Sequence, residues 1–254
     1  MTQAERHQYI KEQLERKGFI RVVEVAEQLG VSGATIRKDL RIMESLHLLY
    51  RNHGSASLMT PKVVDLPVQK KSKINSEQKL KLARMADTLI ADDDSIIMTS
   101  GSTIEALALN LGNHGNLNIV TPSIRVGVYL SEKDNVEILM LGGKLIVKSL
   151  SVRDTYSEEG LKYVNCSKMF CSCDGFDIEA GVTTATVEEA RMTNTMMNAA
   201  SQVILLVDSS KIGKTAYGKI CDVSRIDVLI TDSGISQSIK ERIEEEGVQV
   251  IVVE

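Results

Sequence analysis

The sequence predicts an α/β protein in two parts: an N-terminal winged helix-turn-helix and a larger domain built on a mainly parallel β-sheet. Three observations predict this fold class. The N-terminal third is basic and the remainder acidic, two short helices flank a glycine-containing turn, and short apolar strands alternate with helices from residue 76 onward. A length of 254 residues fits two modest domains.

Charge is distributed unevenly along the chain. The net charge is −4 overall, but residues 1–84 carry +7 and residues 85–254 carry −11. A basic segment joined to an acidic domain is typical of a nucleic-acid-binding unit, so we expect double-stranded DNA to be a partner of the first part. Chance clustering of charge on a solvated face is the alternative.

The composition argues against several classes of protein. No run of about 18 apolar residues could span a membrane, and the polar start MTQAERHQYIKEQ lacks the apolar core of a secretory signal. We therefore expect a cytoplasmic protein without a membrane partner, whose four cysteines are thiols. The spacing C-x₄-C-x-C and the scattered histidines predict no metal site, and no motif predicts a cofactor.

The basic part is predicted to form three helices. Apolar residues at helical spacing predict one helix over 3–17 and a second over Val22–Leu29. A glycine turn ends at Ser32, which is a good N-cap, and a third helix runs from Gly33 to about Leu46. Two short helices across such a turn, the second rich in basic groups, form the helix-turn-helix pattern.

The third helix is predicted to enter the major groove of DNA. Its inward face would be Ile36, Leu40 and Met43, which leaves its basic residues exposed to read guanine or neutralise phosphate. The segment LLYRNHGSASL predicts a hairpin, or wing, beside the phosphate backbone. The candidate DNA-binding residues are Ser32, Thr35, Arg37, Lys38, Arg41, Arg51 and His53. A small three-helix core with solvated basic residues is the alternative.

A basic linker is predicted between the two parts. Residues 60–74 hold two of the three prolines and four lysines. This composition suits either a solvated hinge or additional phosphate contacts from Lys70, Lys71 and Lys73. The predicted division is a winged helix-turn-helix at residues 1–58, a linker at 59–75 and an α/β domain at 76–254.

Short apolar strands alternate with helices in the acidic part, which predicts a mainly parallel sheet. The predicted strands are Ser95–Thr99, Leu117–Thr121, Val136–Leu141, Lys168–Cys173, Val203–Val207, Asp227–Thr231 and Val248–Val253. The predicted helices are Ser76–Ile90, Thr103–Leu111, Ser123–Leu130, 187–200 and 236–246. Ser76 is the predicted cap of the first of them.

Polar residues follow several of these strands, at the edge where parallel sheets bind ligands. SGST at residues 100–103 opens a helix, where backbone N–H groups and hydroxyls suit a phosphate. A capping box of Ser102 and Glu105 explains that segment equally well. Other strands are followed by GGK at 142–144, by Asp174 and by DSSK at 208–211. Their convergence predicts a polar pocket for an anion.

These motifs carry a resemblance to a known family. VS-x-x-TIRKDL followed by LLYRNHGSA resembles the winged helix-turn-helix of the DeoR family of bacterial transcription regulators. SGST, LGG, CDGF, GVTT, DSSK and LITD, in that order, resemble its sensor domain, which is similar to ribose-5-phosphate isomerase. The resemblance covers essentially the whole chain. It implies a repressor of a carbohydrate-utilisation operon that is relieved or modulated by a phosphorylated sugar.

The resemblance also implies roles within the pocket. Residues 100–103 and Lys211 would hold the phosphate or hydroxyls, Asp174 would bind sugar hydroxyls, and Glu188 or Glu189 matches the base of the isomerases. The candidate effector-binding residues are Ser100, Gly101, Ser102, Thr103, Gly143, Lys144, Asp174, Glu188 and Lys211. The chain departs from the family pattern near Pro122, Ile146 and Arg153. At these departures we expect the pocket to be kept but to bind an unusual ligand. Lys144, Lys148 or Arg153 would then contact the anion in place of the residues typical of the family.

Two functions stay open at this point, a regulator and a sugar-phosphate isomerase with an accessory DNA-binding head. The isomerases carry a Lys-Gly-Gly loop where this chain has Glu179-Ala180-Gly181, without a lysine. A general base without its electrostatic partners loses most of its rate advantage, so we expect binding without turnover. Since helix-turn-helix proteins place two heads about one DNA turn apart, we expect a homodimer or a higher homo-oligomer.

Overall fold

The computed structural model describes residues 1–46, 48–52, 54–58 and 66–254. The chain divides into two compact units, one of Met1–Lys62 with Ser236–Ile239 and one of Val63–Ile235 with Lys240–Glu254. Each unit contains its own cluster of buried apolar side chains. The candidate wing residue His53 and residues 59–65 of the predicted linker lie outside the described residues.

Three helices and a three-stranded antiparallel sheet form the N-terminal unit. The helices are α1 (Gln3–Lys17), α2 (Val22–Leu29) and α3 (Gly33–Ser45). The strands are β1 (Phe19–Arg21), β2 (Leu49–Asn52) and β3 (Ser55–Leu58), paired in the order β1-β3-β2. The predicted helix-turn-helix and hairpin are confirmed, and β1 adds a third strand that the sequence did not predict.

Glycines and caps set the boundaries of these helices. Gly18 ends α1 at a φ of 75°, and Gly30 ends α2 at a φ of 63°, a left-handed conformation that glycine adopts without steric cost. The hydroxyl of Ser32 accepts the backbone N–H of Thr35 and starts α3. The core of this unit comprises Ile10, Leu14, Ile20, Val25, Ile36, Leu40, Met43 and Leu49.

The C-terminal unit contains twelve described strands and seven α-helices, the last of which begins within the segment Ser236–Ile239 that is grouped with the first unit. In chain order the strands are β4 (Ser95–Met98), β5 (Leu117–Thr121), β6 (Val136–Met140), β7 (Leu145–Ile146), β8 (Ser151–Val152), β9 (Cys166–Cys171), β10 (Gly175–Asp177), β11 (Gly181–Thr184), β12 (Ala200–Leu206), β13 (Gly218–Cys221), β14 (Val228–Asp232) and β15 (Gln249–Val253). The helices are α4 (Val68–Lys71), α5 (Ser76–Asp87), α6 (Ser102–Leu109), α7 (Ile124–Leu130), α8 (Thr155–Leu161), α9 (Val187–Asn198) and α10 (Gln237–Glu245).

A seven-stranded sheet forms the centre of this unit. Its order is β15-β14-β12-β9-β4-β5-β6, and all its pairings are parallel. Helix α5 packs against β12, β14 and β15, and α9 packs against β9 and β12. Strands β4, β12 and β14 each contain a run of at least three buried residues, as is typical of the interior of a parallel sheet. The predicted fold class is therefore confirmed.

The order of the strands has a direct consequence for ligand binding. From β4 the chain moves through β5 to the β6 edge and then returns to place β9 on the other side of β4. Open α/β sheets bind ligands beyond the carboxyl ends of the strands, at such a reversal of strand order. The ends of β4, β9 and β12 are therefore the expected location of a site.

Two of the predicted caps are wrong. Helix α5 is capped by Asn75, at a φ of 51°, and Ser76 is its first helical residue. Helix α6 begins at Ser102 directly after Gly101, whose φ of 123° lets the chain turn from strand to helix without a side-chain cap. Ser102 therefore lies inside the first turn, and the carboxylate of Glu105 bonds instead to Arg125.

The sequence also missed several short elements of the C-terminal unit. These are α4, α8, the hairpin of β7 and β8, and a small antiparallel sheet in the order β10-β11-β13. All have between two and seven residues, too few for hydrophobic periodicity to identify them.

Candidate functional site

Helix α3 carries a basic stripe on its solvent side. Arg37, Lys38 and Arg41 are exposed, whereas Ile36 and Leu40 on the opposite face are buried. Residues three and four apart on a helix are neighbours, so the three cations share one surface. The structure thus brings together three of the seven candidate DNA-binding residues as a continuous cationic surface.

The other candidates of this unit lie around the stripe. The hydroxyls of Ser32 and Thr35 are 2.9 Å apart at the start of α3, where Ser32 also serves as the cap. Arg51 lies on β2, with its Nε 3.6 Å from Oε2 of Glu44. That neighbouring carboxylate offsets the charge of Arg51, whereas the stripe on α3 is exposed.

An ion pair behind α3 was missed by the sequence reasoning. Asp39 is only 2% exposed, and its carboxylate accepts two hydrogen bonds from Arg6 of α1, at 2.6 and 3.2 Å. Bidentate pairs of this kind fix geometry as well as contributing energy. An acidic residue directly after Arg37 and Lys38 was the available signal. The contact anchors α3 to α1 and so sets the direction in which the basic stripe faces.

Polar residues at three neighbouring strand ends line a cavity of about 210 Å³ in the C-terminal unit. They follow β4, β9 and β12, which are adjacent in the sheet. A second cavity, of about 500 Å³, shares part of this lining and lies toward β7, α8 and α9. The two cavities have Leu66, Lys71, Ser100, Gly101 and Glu189 in common.

Eight of the nine candidate effector-binding residues line these cavities. The smaller cavity is lined by Ser100, Gly101, Ser102, Thr103, Asp174 and Lys211. The larger cavity is lined by Ser100, Gly101, Lys144 and Glu188. Gly143 lines neither and turns the chain after β6 at a φ of 134°. A Cβ there would lie 2.5 Å from Oγ of Ser157, so the turn requires glycine.

Asp174 is held in a charged network at the end of β9. Its Oδ1 lies 2.7 Å from Nζ of Lys71, and its Oδ2 accepts the hydroxyl of Thr184 at 3.3 Å. The sequence placed Lys71 in a linker, as a hinge residue or a DNA phosphate contact. The structure places it in the wall of both cavities. Nothing local in the sequence could pair two residues 103 positions apart.

Arg153, where the chain departs from the family pattern, has three side-chain partners in the larger cavity. Its guanidinium donates to the carboxylate of Glu189 at 3.2 Å, to the hydroxyl of Thr186 at 3.0 Å and to that of Ser149 at 2.9 Å. The hydroxyl of Thr186 also accepts the backbone N–H of Glu189 and so caps α9. Arg153 thus positions Glu189 at the boundary of the two cavities.

The four cysteines are free thiols, as predicted. Burial raises the pKa of Cys171 far above its ordinary value and raises the pKa of Cys221 to about 11, so both stay protonated near neutral pH. Across the described ranges, no group of three or more His, Cys, Asp or Glu is placed to hold a metal ion. No described helix has the length and apolar character needed to cross a bilayer.

Comparison with known families identifies both units. Residues 6–62 match the DeoR-like helix-turn-helix domain, and residues 74–233 match the DeoR C terminal sensor domain. The chain belongs to the DeoR family.

Full-length relatives of this DeoR-family chain are named as transcriptional regulators. The HTH-type transcriptional repressor GlcR of Bacillus subtilis is 32% identical over 254 residues, which cover 100% of this chain and 98% of that protein. The HTH-type transcriptional regulator GlpR of Haloferax volcanii is 31% identical, covering 99% and 98%. The glycerol-3-phosphate regulon repressor of Escherichia coli is 27% identical, covering 98% and 99%. This DeoR-family chain is therefore a transcriptional regulator with a DNA-binding domain, and not an isomerase.

A solved structure of D-ribose-5-phosphate isomerase, in complex with phospho-erythronic acid, is also similar to the chain. It is 20% identical, with a TM-score of 0.41 over 54% of each chain.

Proposed function

We propose that this DeoR-family chain represses a carbohydrate-utilisation operon and is released from its operator when a phosphorylated sugar occupies the cavities of the C-terminal unit. One observation carries the proposal. Hydroxyls, a helix N-terminus and lysines converge on a cavity at three adjacent strand ends, in a chain whose other unit presents a cationic helix face.

The phosphate would bind at the start of α6. Ser100, Gly101, Ser102 and Thr103 supply hydroxyls and backbone N–H groups at the positive end of the helix dipole, and Lys211 supplies a full charge. The buried carboxylate of Asp174 would accept sugar hydroxyls. Glu188 and Lys144 line the larger cavity, where the remainder of the sugar would lie. The two volumes together fall within the range of small-molecule sites.

On DNA, α3 would lie in the major groove. Arg37, Lys38 and Arg41 would contact bases and phosphates, Ser32 and Thr35 would bond to phosphate oxygens, and Arg51 and His53 of the wing would contact the backbone. A homodimer, or a higher homo-oligomer, would place two such helices one DNA turn apart. The protein would act in the cytoplasm, where the operator lies. The sugar releases DNA only if it binds more tightly to a state that misplaces the heads.

The ligand is tested first by thermal unfolding of the full chain with aldose and ketose phosphates and their unphosphorylated sugars. A ligand that binds only the folded state raises the unfolding midpoint, so at least one phosphorylated sugar should raise it where its parent sugar does not. The operator is then selected from random duplexes of about 30 base pairs, a length that holds two half-sites. Equal midpoints throughout the panel, or operator binding unchanged by the sugar that raises the midpoint, would contradict the proposal.

A further inference from the structure

A short segment, residues 66–75, forms one wall of both cavities, and we call it the strap. It contains α4 and the turns on either side. Leu66 and Lys71 line both cavities, Val68 lines the larger, and Ile74 and Asn75 line the smaller. Along the sequence the strap directly follows the residues that connect to the DNA-binding unit. A ligand in the cavities would therefore touch the segment that tethers that unit.

Hydrogen bonds of the backbone and of side chains fasten the strap to the rest of the unit. The N–H of Val68 donates to the carbonyl of Lys148 at 2.9 Å. The ammonium of Lys79, which is buried, donates to the carbonyl of Lys71 at 2.8 Å and to that of Ile74. At the far end, the side chain of Asn75 donates to Asp208 at 3.0 Å. These contacts hold the strap without involving the residues proposed to bind the ligand's hydroxyls.

The Lys71–Asp174 ion pair is different, because one of its partners belongs to the candidate ligand site. Their atoms are 2.7 Å apart, and Asp174 is only 5% exposed. A buried carboxylate that loses its partner is costly, so Asp174 must keep either Lys71 or another donor. A sugar hydroxyl is such a donor, and a phosphate in the same cavity is a competing acceptor for the ammonium. A bound ligand therefore competes with the ion pair itself. Its hydroxyl would replace Lys71 at the carboxylate of Asp174, and its phosphate would replace Asp174 at the ammonium of Lys71.

We propose that Lys71 couples the cavities to the DNA-binding unit: its ion pair with Asp174 holds the strap closed without ligand, and a bound phosphorylated sugar draws Lys71 from Asp174 and loosens the strap. This inference rests on the proposed function for its ligand. It assigns Lys71 a coupling role, in which its ammonium exchanges Asp174 for the phosphate of the ligand.

Loosening the strap lengthens the tether between the two units. In a dimer bound to two half-sites, the effective concentration of the second head falls with about the −3/2 power of the tether length. Where the bonds of the strap to Lys148 and Lys79 open as well, Leu66 to Ile74 are released and nine residues are added to each tether. Operator affinity should then fall by about threefold to tenfold.

The test uses the full chain and no ligand. Lys71→Met keeps the length of the side chain and removes its charge, and Lys162→Met is the matched control, since Lys162 is an exposed lysine of the same unit that lines neither cavity. We expect Lys71→Met to raise the operator Kd about threefold to tenfold, and to speed hydrogen exchange at the amides of 68–74. Lys162→Met should change neither. Wild-type Kd and exchange in Lys71→Met would overturn the proposal.

A second variant separates coupling from misfolding. Lys71→Met/Asp174→Asn leaves no unpaired carboxylate, so it decides the question even where the single change destabilises the unit. We expect the double variant to bind the operator as weakly as Lys71→Met, and wild-type affinity would overturn the proposal. The Lys71 measurements need no ligand, so they do not depend on the proposed function. That function fails separately if no sugar phosphate changes the unfolding midpoint or the operator affinity of the wild-type chain.

Discussion

The two candidate sites are built in opposite ways. The DNA-binding surface is one exposed face of one helix, where Arg37, Lys38 and Arg41 lie within five consecutive residues. The effector site draws on the ends of three strands, and its residues extend from Ser100 to Lys211 along the chain. A surface that meets a large charged polymer needs only local periodicity, whereas a cavity for a small ligand needs a fold to assemble it.

Electrostatics separate the two regions as well. The cations of α3 are exposed, so on the proposed function they would act on DNA over about a Debye length, and this attraction would weaken with salt. In the C-terminal unit Lys71 is paired with Asp174 and Arg153 with Glu189. Those pairs are partly buried and have defined geometry, so on the proposed function they would respond to the particular groups that a ligand presents. Non-specific attraction and chemical discrimination would then be divided between the units.

The largest expected effect falls on the N-terminal unit. Arg37→Ala/Lys38→Ala removes two cations from each head, and at about 1–3 kcal/mol for each contact, a dimer should lose operator affinity about 100-fold or more. Gel-shift titration measures this loss. The control Lys11→Ala/Arg16→Ala removes the same charge from exposed positions of α1. Equal losses in both variants would show that charge alone, and not the α3 surface, binds DNA.

The next effect tests whether the two cores are independent. Phe170 is completely buried in β9, and Phe170→Ala should lower the free energy of unfolding of the C-terminal unit by about 3–5 kcal/mol. Hydrogen exchange resolved by unit measures it. Amides of the buried core of α1 and α3 should keep their protection, since that core is a separate cluster. Protection lost in both units would mean that they unfold together.

A smaller effect is expected at the phosphate site. Lys211→Ala removes a charged contact worth about 1.5–3 kcal/mol, so affinity for the sugar phosphate that raises the unfolding midpoint should fall about tenfold or more. Operator affinity without ligand should not change. The matched control is Lys162→Ala, an exposed lysine of the same unit. Isothermal titration calorimetry measures the ligand affinity of both variants. Equal affinities would show that Lys211 does not bind the ligand.

The smallest effect is a pH dependence at the opposite edge of the sheet. Burial alone raises the pKa of Asp94, but hydrogen bonds from Lys168, from the N–H of Ala91 and from Ser167 outweigh it and lower that pKa below 3.8. A lowered carboxyl pKa contributes stability that is present above the unfolded value and is lost as the pH falls through the folded value. Urea midpoints of wild type and Asp94→Asn should therefore differ at pH 7 and converge below pH 3.8. A constant difference would contradict this.

The sequence predicted the elements whose signal is local. Helices α1 and α2 and strand β5 have the predicted bounds, because apolar spacing, caps and glycines within each segment define them. It missed β1, β11 and β13. These strands exist through pairing with distant partners, such as Val182 with Cys221, and no short run of residues contains that information.

The same division holds for the candidate sites. The sequence by itself determined the basic face of α3 and the polar strand ends, because periodicity decides which side of a helix is apolar and parallel strands end at one edge. Only the tertiary structure decided that Lys71 meets Asp174 across 103 positions and that Arg153 meets Glu189 across 36. Such contacts depend on the order of the strands and the path of the connections, which are settled by the packing of the whole domain.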